Sequence, residues 1–277
     1  MRTALTIAGS DSSGGAGIQA DLRTFAALGV RAASAITAIT AQNANGVLAL
    51  EAVAADLVTS QIEAAAGDGA IHATKIGMLA NAAIVEAVAA AIEELDLPLV
   101  VLDPVLASSS GHRLLDDEGV QTMLTELLRR VRVITPNIPE AEALSGVRIA
   151  SLDDMKEAAQ RLQEAGARAV IITGGHSDFG LRIADRGLVV DVLLDEGVFH
   201  EFRAKRVKGR NVRGTGCSYA SAVAAHLALG HTLPNAAERA QRFVNVILKD
   251  DAAASAHRTR TPRARPSRDG AVGECGG

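Results

Sequence analysis

Ala4-Leu5-Thr6-Ile7-Ala8, then Gly9-Ser10-Asp11-Ser12-Ser13-Gly14-Gly15-Ala16-Gly17, then a run with Ile18, Leu22, Phe25 and Leu28 at helical spacing: this stretch decides the fold. The first part reads as a short buried strand and the second as a glycine- and serine-rich loop. The third reads as a helix over 18–28 that Gly29 stops. Strand, loop and helix in this order open a βαβ unit, and the chain repeats the alternation. Strands are predicted at 31–40 and 47–53, separated by the break Gln42-Asn43-Ala44-Asn45-Gly46, and a helix at 56–66. A strand at 71–76 ends in Gly77-Met78, a helix covers 82–95, and a buried strand at 99–102 ends in Asp103-Pro104.

Farther along, 116–130 reads as a helix and 131–135 as a strand. Asn137 caps a short helix through Leu144, with Pro139 tolerated in its first turn. Ser151 with Asp154 three residues on opens a helix over 151–165. The strand 169–173 ends at Gly174-Gly175. Two antiparallel strands, 188–194 and 199–205, flank the turn Asp195-Glu196-Gly197. Helices from Gly216 and over 233–249 close the domain. Such alternation predicts a mostly parallel sheet covered by helices on both faces. Ligands in such folds gather at the carboxyl ends of the strands, where every chemically suggestive cluster of this chain falls.

No repeat or linker divides residues 1–252, which read as one domain. Residues 253–277 are basic and broken by proline, and read as a disordered, solvated tail. Hydrophobic residues make up 48% of the 277, enough for a sizeable core, but aromatics only 2%, so the core must be Ala, Val, Leu and Ile. The scarcity of aromatics and the net charge of -4 argue against a nucleic-acid partner. Cys217 and Cys275 lie far apart, which suggests neither a disulfide framework nor a zinc site and fits a reducing cytoplasm. The N-terminal apolar run is too short for a signal peptide, and no run is long enough to span a membrane.

Arg213-Gly214-Thr215-Gly216-Cys217 leads into the Ala-rich run 218–225. A Gly-Thr-Gly turn opening a helix leaves unpaired N–H groups at its positive end, a place for an anion and most often a phosphate. Cys217 in that field is expected to be a thiol of lowered pKa; the alternative is a small packing residue. A rival reading comes from Gly15-Ala16-Gly17-Ile18-Gln19-Ala20, which fits a dinucleotide fingerprint. That fingerprint requires an acidic residue about twenty positions on, and the chain has none between Asp21 and Glu51. No Walker A loop is present. Asp103 and Glu140 are the best placed carboxylates for Mg²⁺ in phosphoryl transfer, with helix and turn capping as the alternative for each.

The chain resembles the hydroxymethylpyrimidine/phosphomethylpyrimidine kinases of thiamin biosynthesis, in the ribokinase-like superfamily. The resemblance rests on residues 8–21, Thr37-Ala38-Ile39-Thr40-Ala41-Gln42-Asn43, Lys75-Ile76-Gly77-Met78-Leu79, Asp103-Pro104-Val105, Thr135-Pro136-Asn137-Ile138-Pro139-Glu140 and Gly214-Thr215-Gly216-Cys217, all in family order. It implies a three-layer α/β/α fold and transfer of the ATP γ-phosphate to 4-amino-5-hydroxymethyl-2-methylpyrimidine, then to its monophosphate. By the same resemblance Gln42 reads the aminopyrimidine edge, and Asp21, Gly9, Met78 and Val105 line its pocket. Asp103 and Glu140 become the metal-side carboxylates, residues 214–217 the anion hole, and the protein a homodimer. Two departures bear on the nucleotide side. Thr173 stands before Gly174-Gly175-His176 where many members have Lys, and Asn211-Val212-Arg213 replaces Asn-Thr-His. Arg213 is expected to restore the missing charge beside Thr173 and Gly175. The alternatives are a pyridoxal/pyridoxine kinase and a non-catalytic binding protein on the same fold.

Overall fold

A computed structural model describes residues 1–43, 45–175, 187–207 and 213–260, the last eight as backbone alone. His176, Asn211, Val212, Cys275 and the rest of 261–277 lie outside the described residues. Among the described residues one sheet has the order β3-β2-β1-β4-β5-β6-β7-β8-β9. Its strands are β1 (Thr3–Asp11), β2 (Arg31–Asn43), β3 (Gly46–Ala52), β4 (Ala73–Ile76), β5 (Val100–Leu102), β6 (Val133–Ile134), β7 (Ala169–Ile172), β8 (Leu188–Asp195) and β9 (Val198–Lys205). The run from β2 to β7 is parallel, while β3, β8 and β9 pair antiparallel at its two ends.

The helices are α1 (Gly17–Ala27), α2 (Ala55–Gly67), α3 (Ala82–Glu94), α4 (Asp117–Thr122), α5 (Ile138–Ser145), α6 (Leu152–Glu164), α7 (Thr215–Ala228) and α8 (Leu233–Arg260). Right-handed crossovers that travel in opposite directions along a sheet lie on opposite faces. The step from β1 to β2 goes one way and the steps from β4 to β7 go the other. Accordingly Phe25 of α1 packs with α7 and α8 on one face, and α2, α3 and α6 pack on the other. Alternation along β7 serves both layers: Ala169 and Ile171 face α7 and α8, while Val170 and Ile172 face the opposite helices. Ala4, Ala73 and Ala169 share one buried cluster with the small residues Ala220, Ala224 and Ala225 of α7. Each buried Val, Leu or Ile contributes about 1.5–3 kcal/mol, which serves where aromatics are few. The chain reverses direction between β1 and β4, and that switch point opens a crevice at their carboxyl ends.

Several boundaries differ from expectation. β1 runs on through Gly9-Ser10-Asp11 by way of a register shift between Ala8 and Ser10. β2 continues past the expected break to Asn43, because β3 folds back along it with a bulge at Ala41/Gln42. The helix expected at 116–130 is α4 followed by a π turn (Met123–Leu127) and a 3₁₀ turn (Leu128–Arg130). α8 carries the chain to Arg260, beyond the expected domain end at 252. The alanines at 252–254 and 256 favour its continuation. No helix among the described residues is long and apolar enough to cross a membrane.

Candidate active site

The anion-binding turn forms as its sequence dictates. Gly214 caps α7 in the left-handed region at φ 77, and a side chain there would collide with the Gly15 carbonyl. Only glycine combines that φ with so close an approach. The contact lays the 9–17 loop against the first turn of α7. No side chain caps this helix, so its leading N–H groups stay available, and Gly216 is exposed to solvent.

Across from this turn stands Asp103, whose N–H bonds the Ile76 carbonyl at 2.8 Å and fixes it at the end of β5. The Cys217 thiol lies beside the Asp103 carboxylate and the Gly17 N–H. Burial pushes the thiol well above its usual range, against the pull of Lys75 and with a further push from Asp103 and Asp21. This reverses the expectation of a lowered pKa. A helix N-terminus favours a thiolate where solvent and cations dominate; here the half-buried side chain sits opposite carboxylates and keeps its proton.

Asn137 and Glu140 form a reciprocal capping box at the start of α5, with N–H···O distances of 2.9 and 3.0 Å. Glu140 thus caps a helix and also faces Asp103. Burial, reinforced by the Asp103 charge, pushes its pKa up to about 8. Asp103 is itself raised by burial, and its buried Oδ2 has no hydrogen-bond partner. Two carboxylates that repel each other, one with an unsatisfied oxygen, form a place for a cation. The described residues contain no group of three or more His, Cys, Asp or Glu that could enclose a metal. A pair suits Mg²⁺, which usually takes one or two protein carboxylates and completes its shell with waters and phosphates.

Lys75 was missed by the sequence reading. It is completely buried in β4, with Nζ 3.0 Å from Asp21 and 3.9 Å from Asp103. Burial lowers its pKa, but the charges of Asp21 and Asp103 and the Asp21 hydrogen bond raise it more, so it stays protonated. The available signal was a lysine in the apolar strand Ala73-Thr74-Lys75-Ile76, since a buried lysine is nearly always paired. Asp21 was expected to line the pyrimidine pocket. It is instead fully buried, accepting Thr6 Oγ1 at 2.6 Å, Ser221 Oγ at 2.7 Å and Lys75. Its position on the inner face of α1 turns it under the crevice.

The other expected pocket residues come together. Met78 packs with Ala38 and Leu114, and Val105 lies against the same cluster. A Cβ at Gly9 would run into the Met78 methyl, so glycine there leaves Met78 its place. Gln42 pairs in the sheet with Val47, which lies against this apolar floor, and is half-buried, with Oε1 3.3 Å from Thr40 Oγ1 and its backbone held by Ser12.

On the far side of the turn, Thr173, Gly175, Thr215 and Gly216 line one cleft together with Val189 and Asp191. Asp191 accepts the Gly174 N–H at 2.8 Å and Gln241 Nε2 at 2.9 Å, and burial pushes its pKa up to about 6. The buried Tyr219 hydroxyl beside it has no hydrogen-bond partner. Arg213 does not reach this cleft. Its guanidinium pairs with Asp11 at 3.5 Å and bonds the Asn43 carbonyl, because the chain turns at Gly214 and Asp11 is the anion on its own side. Asp11 titrates below its ordinary value: hydrogen bonds from Ser13 and Ala16 and the Arg213 charge outweigh burial, the largest single influence.

A family model described as phosphomethylpyrimidine kinase matches residues 11–261. The hydroxymethylpyrimidine/phosphomethylpyrimidine kinase of Bacillus subtilis is 44% identical over 241 residues, 87% of each chain. A bifunctional thiamine biosynthesis protein of Geobacter sulfurreducens is 42% identical over 88% of this chain, which spans 49% of that protein's length. Among solved structures, the phosphomethylpyrimidine kinase of Clostridium difficile superposes with a TM-score of 0.77 at 37% identity, covering 90% of this chain and 100% of the other. An ADP complex of a Bacillus subtilis pyridoxal kinase gives 0.78 at 36% identity, over 88% and 90%. Matched by the family model over residues 11–261 and 44% identical to a member over 87% of both chains, the chain belongs to the hydroxymethylpyrimidine/phosphomethylpyrimidine kinase family.

Proposed function

We propose that the chain transfers the ATP γ-phosphate to the hydroxymethyl group of 4-amino-5-hydroxymethyl-2-methylpyrimidine, and then a second phosphate to the monophosphate. The observation that carries the reading is the position of the turn 214–217. Its Thr215 and Gly216 line one cleft with Thr173 and Gly175, and its Cys217 lies beside Asp103, whose carbonyl accepts the N–H of Val105 on the apolar floor. The pyrimidine stacks on the floor, with Gln42 donating to and accepting from its amino edge. ATP occupies the cleft and directs its terminal phosphate at the N–H groups of α7. Cys217, in its minor thiolate form, accepts the proton of the attacking hydroxymethyl group and leaves Asp103 ionised. Asp103 and Glu140 would hold Mg²⁺, which neutralises charge between the phosphates. The enzyme works in the cytoplasm as a homodimer, a reading supported by exposed Ile39 and Leu48 at the β2–β3 edge.

ADP release measured with the pyrimidine, its monophosphate and pyridoxal tests the assignment. Turnover with both pyrimidines is expected. Turnover with pyridoxal alone would favour the kinases of the second structural neighbour, and no ADP with any of the three would leave a binding protein.

A further inference from the structure

We propose that Lys75 is a positioning residue for phosphoryl transfer: its buried ammonium, tethered to Asp21, sets the Asp103 carboxylate and Cys217 thiol in place and offsets negative charge that gathers there. The inference rests on the assignment of the reaction centre to Asp103 and Cys217. Lys75 lies mid-strand in β4, where a lysine has no ordinary place. Its side chain runs along the strand toward the carboxyl end, so that Nζ comes within 2.6 Å of where a Cβ on Gly77 would stand. Asp21 cannot swing away, since Thr6 of β1 and Ser221 of α7 hold one oxygen each. Four elements, β1, α1, β4 and α7, thus fix one ion pair.

Its orientation is the informative part. The carboxylate end is saturated and points into the protein. The ammonium end lies 3.9 Å from the Asp103 Oδ2 that lacks a hydrogen-bond partner. A buried ion pair is a poor source of stability, because desolvation offsets most of the attraction and apolar substitutes often stabilise. A fixed cation aimed at a dry site of growing negative charge acts without reorganisation, which is where such a charge has its largest effect. Lys75 touches neither phosphate nor pyrimidine directly; it works through its neighbours.

The test is the combined variant Lys75→Met, Asp21→Leu, Thr6→Val and Ser221→Ala, which removes both charges together with the two hydroxyls that Asp21 accepts. Cooperative thermal unfolding within a few degrees of wild type is expected. Calorimetric pyrimidine affinity should stay within about threefold and kcat should fall roughly a hundredfold, the scale of a lost electrostatic stabiliser. A folded variant with wild-type kcat overturns the proposal and leaves the pair as structural cement. If this variant does not fold, Gly77→Ala decides. It keeps both charges and displaces the ammonium, so kcat should drop at least tenfold with pyrimidine affinity unchanged, and an unaltered kcat refutes the role. Cys217→Ala run alongside separates the two readings: if it too keeps full turnover, the assigned reaction centre has failed rather than the lysine.

Discussion

Asp191→Asn isolates the electrostatics of the proposed nucleotide cleft. Asp191 is 3% exposed, and burial lifts its pKa from 3.8 to about 6, with the Gly174 and Gln241 hydrogen bonds pulling back only in part. In the unfolded chain the group titrates at its ordinary value. Between about pH 4 and pH 6, therefore, the folded protein holds a proton that the unfolded chain has lost. The stability from this group is fully present below the unfolded pKa and is lost as the pH rises through about 6. Such a rise is worth about 3 kcal/mol in all, of which about 2 kcal/mol falls between pH 7 and pH 4.5. Asparagine cannot titrate. It keeps the acceptor for Gly174 but sets an amide N–H against the Gln241 donor, at a cost of about 1–2 kcal/mol against the protonated wild type. Urea unfolding of both proteins at the two pH values measures the difference, in which the titration of all other groups cancels. Wild type should gain about 2 kcal/mol on the variant at the lower pH. A difference that stays constant with pH, or moves the other way, would show that burial does not govern this carboxylate.

Three further outcomes are expected. Iodoacetamide should modify Cys217 slowly at neutral pH, as a protonated thiol does, while Cys217→Ala lowers kcat about a hundredfold; rapid alkylation of the free enzyme would restore the thiolate reading. Gln42→Leu should weaken pyrimidine binding by roughly 1–3 kcal/mol in calorimetry, since the amino edge loses its partner, and unchanged affinity would remove Gln42 from the site. Arg213→Ala should leave the KM for ATP nearly unchanged and raise that for the pyrimidine, because the side chain ties Asp11 to the end of β2. A selective loss of ATP binding would return Arg213 to the nucleotide side.

What could be read along the chain was whatever depends on neighbours in sequence. The strand–glycine–helix opening at 4–28 specifies an α/β unit because the period of the apolar residues changes within it. Asn137 and Glu140 announce their capping box three residues apart, and the box forms. Gly214-Thr215-Gly216 at the head of an alanine-rich run specifies an uncapped helix start, and α7 begins there. The alternation that followed was enough for a mostly parallel sheet with its suggestive clusters at one edge.

Electrostatic character depended on residues that sequence keeps far apart. Cys217 looked like a thiolate because its own helix favours one; burial in the folded chain, with a further push from Asp103 and Asp21 more than a hundred residues earlier, makes it a neutral thiol. Asp21 sat in a pocket motif, yet the packing of α1 buries it under Lys75. Asp191 gains its raised pKa only from the burial that packing imposes, against the Gly174 and Gln241 hydrogen bonds. Local pattern determines helix, strand and cap, because hydrogen bonding and propensity act within a few residues. Burial and Coulomb forces act through space, so which charges meet, and which protons stay on, was decided only when the sheet brought its strand ends together.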